Sequence, residues 1–322
     1  MKVFLRLIKG FEGLIQFLLI LTILVVAAVF LITTLNLPFK EENFPFFKTK
    51  QESGQVAPQV RKNFSFFLPS SPTIEPTPTI SPTPTLTPKE ILANLSLKYG
   101  PCRYVPILMY HHLLEPAEAK KIGAQNLNVS PAIFEQQINY LIKKGYQTIF
   151  LDELMDGMKG NRTLPQKPMV ITFDDGYKEL YYILYPLMKM KNFKATVFVI
   201  SQFLDGDKYL SWDQLKEMAS NNLLEIGDHT LNHSALTETQ GEGFIRDQIL
   251  SSQKIISERI GRTVKVFAYP YGTYNKTTEK ILVEGKFTAG VKSNNTGAAC
   301  VKLPYEIPRM RIGDAQLSGY GL

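Results

Sequence analysis

The sequence is poor in cysteine and histidine, with two cysteines and four histidines among 322 residues. Cys102 and Cys300 stand too far apart for a Cys-x-x-Cys motif, which excludes the usual thiol zinc and redox centres. Both cysteines lie near the ends of the region predicted below to be catalytic. A disulfide between them, if that region is exported, and two separate buried thiols remain alternatives.

The chain also lacks a dense run of lysine or arginine, although its net charge is +7 at pH 7. A basic balance can favour nucleic acid, anionic lipid or an anionic polymer as a partner. Because no basic run and no nucleic-acid motif is found, we do not expect nucleic acid binding. No protein partner can be inferred from the sequence.

Charged residues are absent from residues 14–36. This stretch has about the ~20 residues that a helix needs to cross a bilayer. Lys2, Arg6 and Lys9 precede it, so the positive-inside rule predicts that residues 1–13 are cytoplasmic and that everything after residue 36 is outside a single-pass anchor at the cell membrane. A cleaved signal peptide is the alternative, but its apolar core is usually ~7–15 residues long.

Residues 37–99 do not have the pattern of a packed domain. Proline and threonine alternate through residues 69–88, and such a run has few backbone donors and favours extended polyproline II. We therefore predict a disordered Pro/Thr-rich stalk that holds residues 100–322 away from the membrane.

Residues 100–322 alternate between strand and helix patterns, which is typical of a parallel sheet covered by helices. About seven such units in ~220 residues favour a distorted (β/α)7 barrel over an open sheet. In these barrels the reactive groups gather at the carboxyl ends of the strands. The predicted strands cover residues 104–110, 147–150, 169–173, 194–200, 223–226, 264–269, 287–291 and 306–312.

Asp174 and Asp175 follow one of these strands directly, and Gly176 permits a turn after them. Two neighbouring carboxylates repel each other unless a cation lies between them or one of them is protonated. A solvated Asp-Gly turn is the alternative interpretation.

His229 and His233 follow another predicted strand and are four residues apart. On a helical turn this spacing places two imidazoles on one face. With an aspartate from a different strand end they form a set of two histidines and one carboxylate, which is the pattern of a catalytic zinc site with an open position. The same set can hold Co²⁺, Ni²⁺ or Fe²⁺, and an ordinary pair of surface histidines is the alternative.

The segments Thr172-Phe-Asp-Asp-Gly176 and His229-Thr-Leu-Asn-His233 resemble two motifs of the polysaccharide deacetylases of carbohydrate esterase family 4. That family removes N- or O-acetyl groups from sugar polymers with a divalent metal, usually zinc, on a distorted α/β barrel. The resemblance implies that Asp175, His229 and His233 bind the metal. It also implies that Asp174 is the general base.

The segment Val266-Phe-Ala-Tyr-Pro-Tyr-Gly272 is similar to the third motif of the family. The resemblance implies that the backbone N–H of Tyr271 stabilises the oxyanion and that Pro270 lies at the substrate. The arginine that usually opens this motif and braces the base is replaced by Ala268. Arg309 or Arg311, near the last strand, is a candidate replacement at the substrate site, and a surface arginine is the alternative for each.

The family normally has a Leu-x-His motif late in the chain, whose histidine protonates the leaving amine, but no histidine follows His233. Met109-Tyr-His111 has the same spacing and comes first, as in the permuted subgroup that includes biofilm poly-N-acetylglucosamine deacetylases. The resemblance implies that His111 is the general acid and that Met109 lies in the acetyl pocket. His112 is the competing candidate for the acid.

These observations predict a membrane-anchored, metal-dependent hydrolase that removes N-acetyl groups from N-acetylglucosamine polymers outside the cell. An O-acetyl esterase or another amide hydrolase with the same site is one alternative. A catalytically degenerate wall-glycan-binding protein is the other, and Ala268 is its best support. The sequence leaves open whether the acetylated glycan is peptidoglycan, a β-1,6-linked exopolysaccharide or a chitin-like oligomer.

Overall fold

A computed structural model describes residues 86–293 and 297–322 of the chain. The predicted cytoplasmic N-terminus, membrane anchor and most of the predicted stalk lie outside these residues and are not tested by them. Within the described ranges, no helix combines the length and the apolar character that a membrane crossing requires.

The described chain begins with helix α1 (Pro88–Tyr99). Thr87 caps it, because its hydroxyl accepts the Glu90 N–H at 3.3 Å while a Glu90 carboxylate oxygen accepts the Thr87 N–H at 2.8 Å. Pro88 occupies the first helical position, where proline is favoured. The prediction of a disordered stalk is therefore wrong for residues 88–99, since the last proline of the run starts a helix.

The predicted α/β barrel is confirmed. Its strands are β2 (Ile107–Tyr110), β3 (Gln147–Thr148), β4 (Pro168–Phe173), β5 (Ala195–Val199), β6 (Leu224–Asp228), β7 (Val266–Ala268), β8 (Ala289–Lys292), β10 (Ile307–Pro308) and β11 (Met310–Arg311). The order of strands in the sheet is β10, β8, β7, β6, β5, β4, β2, β11, and β3 pairs with β4 beside this path. Every neighbouring pair along the path is parallel.

One short segment joins the two ends of this path. Its first half, β10, pairs with β8, and its second half, β11, pairs with β2. Only Arg309 separates the two halves. The predicted last strand is thus present but interrupted, which gives eight strands along a nearly closed barrel.

Helices cover the outside of the barrel. A π-helical turn, Leu180–Leu184, leads into α5, and a second one, Asp247–Ser251, joins α7 to α8. A capping box at Ser211 begins α6, whereas the Ser130 hydroxyl, directly before α3, donates to Asp314 Oδ1. The helices are α2 (Pro116–Lys121), α3 (Pro131–Lys143), α4 (Leu151–Met158), α5 (Tyr185–Lys191), α6 (Trp212–Ser220), α7 (Glu242–Arg246), α8 (Ser252–Ile260) and α9 (Lys276–Glu284).

The strand side chains alternate between two apolar clusters. In β4, Ile171 and Phe173 pack outward in the cluster that includes the helices, and Val170 packs inward with Phe198 of β5. Because successive side chains of a strand face opposite sides, residue 174 continues the inward series of β4. In the same way, residues 107, 109 and 111 form the inward series of β2, while residue 112 faces outward.

A two-stranded antiparallel sheet lies beside the barrel. Its strands are β1 (Cys102–Arg103) and β9 (Ala299–Cys300), and Cys102 is directly opposite Cys300. The two cysteines form a disulfide across a sequence separation of 198 residues. The structure therefore favours the disulfide over two separate thiols, and the bond fixes the chain just before β2 to the chain just before β10.

Candidate metal and acid–base site

The turn after β4 gives its two aspartates different directions. Asp174 continues the inward face of the strand, whereas Asp175 and Gly176 both adopt left-handed backbone conformations, with φ of 72° and 73°. A non-glycine residue in this region costs of order 1–3 kcal/mol. The strain is therefore associated with the turn that brings the Asp175 carboxylate to His229 and His233.

Asp175 lies with His229 and His233 in a cluster whose candidate ligand atoms are all within 4.8 Å of one another. Its Oδ1 is 3.5 Å from His229 Nε2 and 3.4 Å from His233 Nε2. Asp175 is 6% exposed, and among the described residues this oxygen has no hydrogen-bond partner. A buried carboxylate oxygen without a partner is costly, so the three residues fit a divalent cation between them.

The two histidines are not on a helical turn, so that detail of the sequence prediction is wrong. The chain leaves β6 through an irregular loop in which Thr230 and His233 are left-handed, with φ of 72° and 62°. The Thr230 hydroxyl accepts the His233 backbone N–H at 3.0 Å. This loop still brings the two imidazoles together, with ring centroids 4.9 Å apart.

The tautomer of His229 follows from its partner. Its Nδ1 lies 2.7 Å from the backbone carbonyl oxygen of Ala268, and a carbonyl can only accept a hydrogen bond. Nδ1 must therefore carry the proton, which leaves a lone pair on Nε2 facing Asp175. This is the form in which histidine binds a metal ion.

Arg309 pairs with Asp174 inside the barrel. Its Nη1 and Nη2 donate to Oδ1 and Oδ2 at 2.6 and 2.7 Å, and Nη1 also donates to the Thr172 hydroxyl at 3.1 Å. Arg309 is 1% exposed, and its guanidinium lies 5.6 Å from the ring centroid of Phe198. A bidentate pair of this kind fixes both the position and the orientation of the carboxylate.

The two aspartates differ in electrostatics as well as in direction. Burial acts to raise the pKa of Asp174, but the adjacent Arg309 charge and its hydrogen bonds outweigh burial and hold that pKa well below its usual range. Burial raises the pKa of Asp175, and the charge of Asp174 acts in the same direction. Asp174 is thus ionised without any metal, whereas a cation bound beside Asp175 would act against burial and lower the pKa of that carboxyl.

Arg309 and Arg311 are both candidates to replace the missing arginine of the third motif, and Arg309 is the one that pairs with Asp174. Arg311 is exposed, and its Nη2 donates to the backbone oxygen of Asn126 at 2.7 Å. Ala268, at the position where the resemblance predicts an arginine, is fully buried in the barrel interior. The guanidinium that accompanies the base is therefore supplied by a different strand segment.

His111 and His112 have different surroundings. His112 is buried, its Nδ1 lies 2.6 Å from Glu179 Oε1, and its ring stacks on Tyr177 with centroids 3.7 Å apart. His111 faces the barrel interior, where burial, together with the charges of Arg309 and Arg311, lowers its pKa to about 4 although Asp174 opposes this. His111 therefore interacts electrostatically with Asp174 and Arg309, whereas the His112 side chain is engaged by Glu179 and Tyr177.

The remaining predicted residues lie near the site in different ways. Met109 is buried in the barrel wall, in register with Thr172 and Arg311 of the neighbouring strands. Pro270 is buried in the turn after β7. Tyr271 is 69% exposed and has a left-handed backbone, with φ of 59°.

The turn after β7 leaves one backbone donor out of its own hydrogen bonds. These bonds run from Gly272 N–H to the Tyr269 oxygen and from Thr273 N–H to the Pro270 oxygen. Neither of them uses the N–H of Tyr271. This group is the donor that the sequence predicted for an oxyanion.

Two contacts of the site were missed by sequence reasoning. One is the Ala268 carbonyl that binds His229 Nδ1, and the other is the Tyr271 hydroxyl, which lies 3.1 Å from His233 Nδ1. A backbone carbonyl has no sequence signal of its own. The tyrosine contact depends on the left-handed backbone conformation of Tyr271, which cannot be predicted from the sequence because the residue is not glycine.

Comparisons with known proteins agree with this geometry. A family model described as polysaccharide deacetylase matches residues 161–290. The chain is 29% identical over 211 residues to YxkH of Bacillus subtilis (strain 168), a protein named as a polysaccharide deacetylase. The match covers 65% of this chain and 71% of that protein. It is 27% identical over 203 residues to the poly-β-1,6-N-acetyl-D-glucosamine N-deacetylase of Staphylococcus aureus (strain MSSA476), covering 59% of this chain and 69% of that protein.

A solved structure is also similar. The Streptococcus pyogenes deacetylase PplD in complex with acetate has a TM-score of 0.59 and 29% sequence identity, and the match covers 66% of this chain and 93% of that chain. The family match includes Asp174, Asp175, His229, His233 and Tyr271. His111 and Arg309 lie outside it, so their assignment rests on the geometry described above.

Proposed function

We propose that this chain, which carries a polysaccharide deacetylase domain, hydrolyses carbon–nitrogen bonds. Its substrate in this proposal is an N-acetylglucosamine polymer outside the cell, from which it removes N-acetyl groups with the help of a bound zinc ion. One observation carries the proposal. A buried oxygen of Asp175, without a hydrogen-bond partner among the residues that the structure describes, faces two histidine Nε2 atoms next to an Asp174 that Arg309 holds ionised.

The substrate class rests on similarity. The Staphylococcus aureus relative is named for poly-β-1,6-N-acetyl-D-glucosamine, and the Streptococcus pyogenes deacetylase has acetate in its structure. Both names agree with a reaction that releases acetate from an acetylated sugar. Only the name of the Staphylococcus aureus relative specifies an N-acetyl group, and it supports the N-acetyl substrate over an O-acetyl ester.

The donor set of two imidazoles and one carboxylate suits zinc, with Asp175, His229 and His233 as ligands. When bound, such an ion supplies Lewis acidity for the acetyl carbonyl and acidifies water. The cluster leaves the ion three protein ligands, and an open position is what distinguishes catalytic from structural sites.

Asp174 acts as the general base in this proposal. Arg309 occupies both of its oxygens, which keeps the carboxylate ionised and fixed in direction. The carboxylate accepts one proton from the attacking water while the water oxygen bonds to the acetyl carbon. General base catalysis of this kind contributes typically 10²–10⁴-fold to the rate.

His111 delivers the proton that the leaving nitrogen needs. With a pKa lowered to about 4, its ring is neutral at pH 7, and the proton that it delivers is the one that Asp174 has taken from the water. Once protonated, a ring with this pKa gives up its proton readily. It can then donate to the amide nitrogen as the carbon–nitrogen bond breaks, which gives the free amine and acetate.

One further group completes the site. The backbone N–H of Tyr271, which the turn leaves out of its own hydrogen bonds, donates to the oxyanion as it develops. A donor in this role is commonly worth ~10²–10³-fold in rate. The positive residues before the uncharged stretch 14–36 support a location of the domain outside the membrane.

Acetate release tests the proposal. The full chain is loaded with Zn²⁺ and incubated with N-acetylglucosamine oligomers, with O-acetylated oligomers and with peptidoglycan, and Asp174→Asn is the control. We expect acetate from N-acetylated substrates and a loss of ~10²–10⁴-fold in Asp174→Asn with zinc still bound. Zinc binding without acetate release from any N-acetylated glycan would refute the enzyme and favour a binding protein.

A further inference from the structure

Each candidate metal histidine has a partner for its second ring nitrogen, and both partners come from β7 and the turn after it. His229 Nδ1 bonds the Ala268 carbonyl, and His233 Nδ1 lies 3.1 Å from the Tyr271 hydroxyl oxygen. The two Nε2 atoms point toward the same oxygen of Asp175. The end of β7 and the turn after it therefore contact the outer side of both histidines.

The conformation of Tyr271 makes this contact possible. Its backbone is left-handed, with φ 59° and ψ 6°, a state that costs of order 1–3 kcal/mol for a residue other than glycine. Its ring meets the His233 ring edge to face, with centroids 4.6 Å apart. A second bond, from Leu236 N–H to the Thr273 hydroxyl at 3.2 Å, holds the loops after β6 and β7 together.

We propose that the phenol of Tyr271 is a positioning residue that holds His233 in the metal-binding tautomer. This inference rests on the proposed metal-dependent function. It assigns the side chain a role separate from that of the Tyr271 backbone N–H. When Nδ1–H donates to the phenol oxygen, the lone pair of His233 is on Nε2, which faces Asp175.

Hydrogen-bond partners on the outer side of metal-binding histidines typically contribute 10–100-fold to metal affinity. Tyr271 is 69% exposed, so water competes for the same nitrogen. We therefore expect the lower end of this range. Tyr271→Phe should raise the zinc dissociation constant about tenfold, which corresponds to a loss of ~1.4 kcal/mol of binding free energy.

The chain offers a matched control in Tyr182. Its side chain is 60% exposed, and its hydroxyl oxygen accepts a hydrogen bond from Gln214 Nε2 at 3.1 Å. Tyr182→Phe removes the same atom and a hydrogen bond of the same length, but away from the ligand set. Phenylalanine at position 271 also keeps the backbone N–H that the oxyanion uses.

The experiment measures zinc affinity of the full chain by competition with a chromophoric chelator, for the wild type and both variants. The visible absorption of the Co²⁺-substituted protein and the melting temperature of the metal-free protein are recorded beside it. We expect Tyr271→Phe to lower affinity about tenfold and to change the Co²⁺ spectrum. The metal-free melting temperature should stay the same, which a merely structural role would not predict.

The outcomes are distinguishable. If the wild type binds no zinc, the metal-dependent function is refuted, and the inference is refuted with it. If the wild type binds zinc and Tyr271→Phe binds it equally well, the inference alone is overturned. An equal loss of affinity in Tyr182→Phe would overturn it too.

Discussion

Arg309 and Asp174 are 135 residues apart in the sequence, and they form a buried bidentate pair in the barrel interior. Arg309 lies between β10 and β11, at the place where the barrel path is joined. The guanidinium that orients Asp174 is therefore supplied by the segment that closes the fold. This links the charge state of the site to the integrity of the barrel.

Arg309→Met should lower both stability and activity. The substitution leaves Asp174 as a buried charge without its partner, and breaking a buried pair in this way costs about 3–5 kcal/mol. Arg311→Met is the matched control, since Arg311 is exposed and surface substitutions usually change stability by about 0.5 kcal/mol or less. Urea unfolding and acetate release measure the two effects. Equal losses in both variants would contradict the assignment of Arg309.

His111→Ala and His112→Ala should separate catalysis from stability. Loss of a general acid typically lowers the rate by 10²–10⁴-fold, so His111→Ala should reduce kcat with little change in Tm. His112→Ala leaves Glu179 partly buried without its partner and should lower Tm with a smaller effect on kcat. Thermal melts and initial rates decide between them, and the opposite pattern would make His112 the acid.

Asp175→Asn should stabilise the metal-free protein and abolish zinc binding. Burial raises the pKa of Asp175, which means that the folded protein disfavours the charged carboxylate when no cation is bound. The neutral amide removes that cost. Zinc at 100 times its dissociation constant should stabilise the wild type by about 2.7 kcal/mol and the variant not at all. Melting curves with and without zinc test this, and an unstable metal-free Asp175→Asn would count against it.

The sequence predicts most of the site because strand ends can be located from apolar patterns. Asp174, Asp175, His229 and Tyr271 each follow a recognisable strand, and parallel strands bring their carboxyl ends together. It does not distinguish Arg309 from Arg311, because both arginines lie two residues apart in the same predicted strand and their partners, Asp174 and Asn126, are distant in sequence. It also misses α1, because Pro88 at the start of this helix is the last proline of the Pro/Thr-rich run and its residue type does not show whether a helix or a stalk follows.

Glu225 should make stability fall as the pH rises. Its carboxylate accepts hydrogen bonds from the Thr196 hydroxyl and the Leu151 N–H, and burial, with the charge of Asp152 acting the same way, raises its pKa to about 8. The folded state therefore binds a proton that the unfolded state releases near pH ~4.3. The stabilisation is complete below that value and is lost as the pH rises through about 8.

Glu225→Gln keeps the acceptor and removes the titration. Between pH 5 and pH 8.5 the free energy of unfolding should fall less in Glu225→Gln than in the wild type. The two falls should differ by more than about 1 kcal/mol. Urea unfolding of the metal-free proteins at both values of pH gives the comparison. Glu258→Gln, at an exposed helix position, should behave like the wild type. A parallel pH profile for Glu225→Gln would show that another group is responsible.

The position of Arg309 has a consequence for the order in which the chain is made. During synthesis Asp174 leaves the ribosome 135 residues before the arginine that charges and orients it. Until the last strand segment arrives, a nascent chain holds an aspartate without a partner and a barrel without its seam. The pair between Asp174 and Arg309 can therefore form only after the segment that closes the barrel has been made.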